Sequence, residues 1–371
     1  MKKILSGLMA IVLACSLSAC KKDPEIISLS GKTMGTTYHI RYIDDGSVKE
    51  NAEKTHEQIE VVLKDVNQKM STYIKDSELS RFNQNTQMNT PIEISADFAK
   101  VLQEAIRLNQ VTEGALDVTV GPVVNLWGFG PEKRPERKPT PEQLTERQSW
   151  VGIDKIHLDM SGKTPTLSKA VPQVYIDLSS IAKGFGVDQV ADVLEQHHVQ
   201  NYMVEIGGEI RAKGKNPENK AWQIAIEKPN NTGERAVQEV IGLNNMAMAT
   251  SGDYRIYFEE NGQRFAHEID PKTGYPIQHH LASITVLAPS SMTADGLSTG
   301  LFVLGENKAL EVAEKENIPV YLIMKTEKAL KQKCRQPSKN YSQIRNNHAN
   351  VIFYPISFCG NYRIDVSRLY L

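Results

Sequence analysis

The order of its elements predicts an α+β fold for this chain, with mixed helices and largely antiparallel sheets. Two observations carry that prediction. Helical patterns are interleaved with short strands of hairpin type, whereas a doubly wound parallel sheet would alternate strand and helix regularly. No internal repeat or low-complexity segment divides the body into an array.

Taken in order, Thr36 to Tyr42 alternates and predicts a first strand. Asn51 to Lys69 has helical spacing, with Ile59, Val62, Leu63 and Val66 on one side. Ala96 to Gln110 predicts a second helix carrying Phe98, Val101, Leu102, Ala105 and Leu108. Trp127-Gly128-Phe129-Gly130-Pro131 opens a loop, and the prolines and charges from Pro131 to Pro141 make it a surface excursion. Val174 to Leu178 reads as a short apolar strand with a helix, Ile181 to His197, behind it. Asn201 to Ile206 is a further strand closed by Gly207-Gly208, and Trp222 to Glu227 pairs with Val237 to Leu243. Leu281 to Leu287 is a strand. Thr293 to Leu304 and Ala309 to Glu316 are helices, and Val320 to Met324 is the last strand expected.

Bulk composition excludes several classes. Of 371 residues, 40% are hydrophobic and 23% charged, which describes an ordinary globular chain. A formal net charge of −1 offers no basic footprint for nucleic acid. The body from Lys21 to Lys333 lacks cysteine, so no disulfide framework spans it. The N-terminus reads as an address: Lys2 and Lys3 precede the mostly apolar Ile4 to Ala14, then Leu17-Ser18-Ala19-Cys20. That apolar run is too short to span a bilayer and fits a signal peptide. Leu-Ser-Ala-Cys resembles a bacterial lipobox, in which the cysteine becomes the lipidated first residue. Residues 1–19 are then signal peptide, Cys20 the anchor, and the segment to Ser30 a tether holding the body beside a membrane.

Three segments could carry chemistry. At Tyr175 to Gly186, Ser179 or Ser180 can cap a helix whose free amides and dipole suit a phosphate, with Lys183 adding positive charge. It is neither a Walker A loop nor a Rossmann fingerprint, and a capped helix with a packing glycine would look the same. In Ala294 to Thr299, Asp295 and Thr299 face one way on a helix and offer hard oxygens appropriate to magnesium, though an acid early in a surface helix is commonplace. In His267 to Gly274, Asp-Pro-Lys-Thr-Gly is a turn fixing the end of the strand that carries His267, whose unperturbed pKa suits a general base near neutrality. Met34-Gly35-Thr36-Thr37, Gly114 to Asp117, Gly121-Pro122 and Ala249 to Asp253 each read as tight turns. Tyr73 could stack on a flat ring or simply be half-buried.

Together these segments resemble the ApbE family, the FAD:protein FMN transferases. The carrying motifs are Lys32 to Thr36, Ser71-Thr72-Tyr73, Gly114 to Pro122 leading to Asn125 to Gly130, Asp177 to Gly184, Val204 to Glu209, Ala249 to Tyr254, His267 to Gly274 and Ala294 to Thr299. The resemblance covers residues 31–325 and implies a T-fold-like body with an FAD cleft between lobes. It implies that Met34, Tyr73, Ala115, Leu116, Asp117, Asp177, Lys183 and Ile269 line the FAD site. Asp295 and Thr299 would hold Mg2+, with Ser180 and Ser298 supplying further oxygens; at Ser180 the backbone carbonyl is the better candidate. His267 matches the family's base. It would deprotonate a threonine or serine hydroxyl of the acceptor, which attacks the FMN phosphorus and releases AMP.

The implied acceptors are flavoprotein subunits of membrane redox complexes, of the Na+-translocating NADH:quinone reductase or Rnf type. Those partners favour the periplasmic side of the inner membrane for the anchored enzyme. The sequence departs from the family after Lys325: residues 326–371 run on, rich in lysine and arginine, without periodicity, and are expected to pack poorly. Two other functions compete: an FAD pyrophosphatase releasing FMN and AMP to water, and a non-catalytic flavin-binding lipoprotein.

Overall fold

The computed structural model describes residues 24–131, 138–229, 237–253, 257–260, 263–325 and 330–335. The signal peptide, Cys20, most of the proline-rich excursion, Tyr254 and the chain after 335 lie outside them. The fold is helices on a mainly antiparallel sheet, as the element order predicts. Among the described residues eight strands form one sheet in the order β1-β2-β6-β7-β10-β13-β14-β15, every neighbouring pair antiparallel.

The sheet begins earlier than expected. Glu25–Thr33 (β1) pairs along its whole length with Thr36–Asp44 (β2), so most of the expected tether is an edge strand. The hairpin closes through Met34 and Gly35, both left-handed (φ 48° and 73°), the two-residue turn that matches strand twist. Tyr202–Ile206 (β6) and Glu209–Lys213 (β7) make the next hairpin, turning at Gly207-Gly208. Met246–Gly252 (β10) lies between β7 and Leu281–Ala288 (β13). This strand includes Ala249 to Gly252, where a tight turn was expected. The small, polar composition of that stretch reads as a turn in isolation, but it is paired residue by residue with β13. Val320–Lys325 (β14) is followed by Leu330–Arg335 (β15), so the segment read as a tail starts with a paired strand.

Helices cover one face. Ala52–Met70 (α1) is capped by Asn51, whose side chain accepts from Lys54 N–H, and buries Ile59, Leu63, Val66 and Met70. Such caps contribute about 1 kcal/mol. Ser77 caps Glu78–Gln84 (α2), and Ser95 caps Ala96–Val111 (α3). Gly121–Trp127 (α4) is a short helix where a turn was expected, with Pro122 in its first turn and left-handed Gly128 at its end. Pro141–Gln148 (α5) carries a capping box. Ala182–Gln196 (α6) and Ser291–Lys315 (α7) cross beneath the sheet; α7 breaks at Gly305 (φ 73°), which divides it into the two helices expected. The β14 side chains show the layering: Val320 and Leu322 join the helical core, while Tyr321 and Ile323 face the hairpin Trp222–Glu227 (β8) with Val237–Leu243 (β9) on the other side.

Val174 to Leu178 is not a ladder strand. It makes a single parallel bridge, Val120 with Tyr175, plus Asp177 N–H to Val118 O at 2.7 Å. Side chains replace part of the missing ladder. The Asn83 amide donates to Ile176 O (2.9 Å) and accepts from Ile176 N–H (2.8 Å). The ammonium of Lys169, only 2% exposed, donates to Asn83 O, Pro172 O and Val174 O. Two smaller sheets complete the fold: Ile92–Glu93 (β3), Ile156–Asp159 (β4) and Thr166–Lys169 (β5) form one, Tyr257–Glu260 (β11) and Gln263–Ala266 (β12) the other. Among the described residues no helix is long and apolar enough to cross a membrane.

Candidate active site

Two hairpin tips and two helices converge at one end of the sheet. The Met34 side chain lies against Gly186 of α6, where an added Cβ would meet Met34 Cε at 2.8 Å. The Gly207 turn abuts Thr36 and the stem of Lys183. Helices α6 and α7 approach closely because position 184 is glycine: a Cβ there would sit 2.2 Å from Ser291 O and 2.8 Å from Asp295 Cβ. Asp188 of α6 reinforces the crossing by accepting from Ser291 and Met292 N–H at the α7 N-terminus (3.0 and 2.9 Å). No serine side chain caps α6, contrary to expectation. Its N-cap is Ile181, and Ser179 instead donates its backbone N–H (2.8 Å) and hydroxyl (2.5 Å) to Asp177 Oδ1.

This crossing brings the predicted metal carboxylate onto the phosphate-type junction. Asp295, 2% exposed, accepts from Gly184 N–H on Oδ2 at 2.9 Å. Its Oδ1 lies 3.7 Å from Lys183 Nζ, which is 3.4 Å from Glu209 Oε1. Burial pushes the Asp295 carboxyl up, with Lys183 and the Gly184 amide pulling it back. Burial likewise raises Glu209. Burial alone would lower Lys183, but the carboxylates of Asp295 and Glu209 outweigh it and hold the ammonium above its usual range. On the other side, Ser251 Oγ of β10 lies 2.9 Å from Ser298 Oγ and 3.4 Å from Thr299 Oγ1. Ser298 also donates to Asp295 O (2.9 Å). Ser180 is half-buried just before the α6 N-cap.

Among the described residues no three His, Cys, Asp or Glu gather into a metal cage. The donors around Asp295 are one buried carboxylate and the hydroxyls of Ser298 and Thr299, hard oxygens of the kind magnesium takes alongside water and phosphate oxygens. Glu209 Oε2 is buried without a hydrogen-bond partner, so two carboxylates face one ammonium. That donor set and charge balance fit a small divalent cation.

A second group surrounds His267, which sits one residue beyond β12 rather than on it. Its Nδ1 is 3.1 Å from Glu268 Oε2, and its ring meets Phe129 edge-on at 6.4 Å. The following turn is closed by Gly274 N–H to Asp270 O (2.8 Å) and tied to α4 by Trp127 Nε1–H to Gly274 O (2.8 Å). Segment 112–119 connects the groups: Leu116 packs on Gly296 and Gly300 of α7, and Gly114 lies against the Lys272 stem.

The remaining predicted residues divide by exposure. Tyr73 is 67% exposed, more than the half-burial expected, and its ring is open to stacking. Partial burial and the neighbouring Asp177 carboxylate raise its hydroxyl pKa. Ala115, Leu116 and Ile269 turn their side chains into the core and would meet a ligand through backbone. Asp117 is half-buried; burial raises its carboxyl, although Thr119 and the Ile153 amide bind it. Three contributors carried no predicted role: Glu209, Ser251 and the Gly184 amide. A carboxylate directly after Gly207-Gly208 was the available signal for the first; the others emerge only from helix and strand packing.

Residues 34–322 match the ApbE family. A Haemophilus influenzae protein named FAD:protein FMN transferase is 76% identical over 345 residues, covering 93% of this chain and 100% of that relative. Among solved structures, the flavin transferase ApbE from Vibrio cholerae superposes with TM-score 0.77 at 52% identity, over 84% of this chain and 97% of that one. The apo form of the Pseudomonas stutzeri flavinyl transferase ApbE gives 0.76 at 35% identity, over 86% and 96%.

Proposed function

The chain belongs to the ApbE family and is a flavin transferase, and on that premise we propose that it is magnesium-dependent, splits FAD, links FMN through a phosphoester to a threonine or serine hydroxyl of an acceptor protein, and releases AMP. The observation that carries this reading is the buried Asp295 carboxylate held on the Gly184 amide beside Lys183, at the start of α6. A helix N-terminus with an adjacent lysine suits a diphosphate.

Asp295 and Thr299 would hold the ion, with Ser298 and the Ser180 carbonyl as further oxygens. Bound there, magnesium would supply charge to the diphosphate and to the AMP leaving group. Lys183 adds a second positive charge next to the phosphates. Tyr73 offers its open ring to a flat ligand face, and Met34, Ala115, Leu116, Asp117, Asp177 and Ile269 shape the rest of the FAD site. His267 accepts the proton of the acceptor hydroxyl as its oxygen bonds to the FMN phosphorus and the diphosphate P–O bond breaks, with AMP leaving. The Glu268 carboxylate beside Nδ1 stabilises the imidazolium that results.

The acceptors fitting this chemistry are flavoprotein subunits of membrane redox complexes, of the Na+-translocating NADH:quinone reductase or Rnf type. With Cys20 lipidated, the enzyme would work on the periplasmic face of the inner membrane. Incubation with FAD, Mg2+ and a threonine-bearing acceptor fragment tests the reading. A mass gain equal to FMN on the acceptor supports it. AMP with unlabelled acceptor would assign a pyrophosphatase instead, and unchanged FAD a flavin carrier.

A further inference from the structure

Asp295 has both oxygens engaged: Oδ2 by the Gly184 N–H at 2.9 Å, Oδ1 by Lys183 Nζ at 3.7 Å. The amide belongs to the first turn of α6 and cannot leave. A cation arriving at Asp295 meets the ammonium 3.7 Å from Oδ1, and the two positive charges compete for that oxygen. The Lys183 ammonium, 28% exposed and donating also to Ser179 O at 3.4 Å, then needs another counter-charge.

Glu209 provides one. Its Oε1 is already 3.4 Å from Lys183 Nζ, its side chain is 6% exposed, and Oε2 is buried without a hydrogen-bond partner. The Gly207-Gly208 turn before it is fixed by Gly207 N–H to Thr37 O (3.1 Å) and Gly208 N–H to Glu205 Oε1 (2.6 Å). The Lys183 stem already runs along that turn, so rotation of its end carries Nζ from one carboxylate to the other. We propose that Glu209 is a positioning residue that receives Lys183 when a divalent cation takes Asp295, leaving cation–Asp295 and Lys183–Glu209 as two separate pairs. Without Glu209, Lys183 competes with the cation for Asp295. The inference rests on the metal reading above.

Magnesium titrated into the full mature chain without FAD, read as the rise of Tm, tests it without turnover. Glu209→Gln should raise the Mg2+ midpoint about tenfold. Lys183→Met should lower the midpoint, and in that background Glu209→Gln should barely move it, because the pair acts as a unit. An unmoved midpoint in Glu209→Gln, or an equal shift with and without Lys183, overturns the proposal. Should Glu209→Gln fail to fold, an unlowered midpoint in Lys183→Met overturns it alone. Asp295→Asn separates the readings. If it abolishes the Mg2+ response while Glu209→Gln does nothing, only the role of Glu209 falls. If it responds as wild type, the metal reading falls with it.

Discussion

Asp295 and His267 belong to different clusters and should fail differently when removed. Asp295→Ala is expected to abolish turnover while FAD still binds, since Tyr73 and the 115–117 backbone remain. His267→Ala should lower kcat for transfer by about 10²-fold or more with little change in FAD affinity, as a base acts in the transition state. Steady-state kinetics beside an FAD-binding titration checks both; full activity in the His267 variant would remove it from the mechanism. Lys169 makes a third prediction. Burial lowers its pKa from 10.5 to about 8. Between pH 8 and 10.5 the unfolded chain binds more protons, so stability should rise with pH through that window, by up to about 3 kcal/mol. Chemical denaturation should show this rise in the wild type and a flatter profile in Lys169→Met. The residue types of the site were readable because carboxylate, hydroxyl and histidine chemistry is local. The partners were not: nothing in the spacing of Lys169, Asn83 and Ile176 announces that side chains replace a strand ladder.

The α6–α7 crossing is the element on which the Asp295 cluster depends. Gly184→Ala inserts a methyl where Ser291 O lies 2.2 Å away, a backbone atom that cannot turn aside. Overpacking of this kind costs about 1–3 kcal/mol. The helices must also separate, carrying Asp295 away from the Gly184 amide. The expected outcome is a lower Tm together with a weaker Mg2+ response, whereas the same loss of Tm from Ser290→Ala, which removes the α7 cap, should leave the response intact. Long periodic helices such as Ala52–Met70 and Ala96–Val111 were legible nearly to the residue, since one stripe meets one core. Met246–Gly252 was not, because Ala249, Ser251 and Gly252 have little strand preference of their own; pairing to β13 makes this stretch a strand. Ser251 thereby reaches Ser298 and Thr299.

At the scale of the molecule, the order β1-β2-β6-β7-β10-β13 places the Met34 turn, the Gly207 turn and Ser251 along one sheet over a single pair of helices. Residues from 34 to 299 therefore meet although no short motif contains them. The chain after Arg335 supplies none of the residues named in either cluster. Truncation there should preserve transferase activity, and limited proteolysis should remove that stretch first; its survival intact would contradict the expected poor packing.

If Cys20 carries a lipid, the first strand would also limit the enzyme's reach. With Cys20 as the lipidated residue, five residue steps separate the acyl chains from Glu25, a leash of at most about 17 Å. Nine residues of β1 then run about 30 Å before the chain reverses at Met34. Because β1 is stitched to β2 throughout, that span is a rigid ruler. The enzyme would work like a lamp on a short stem, lighting a shallow layer above the lipid. Hydroxyls presented within that layer would be modified, and those standing far above it would stay out of reach.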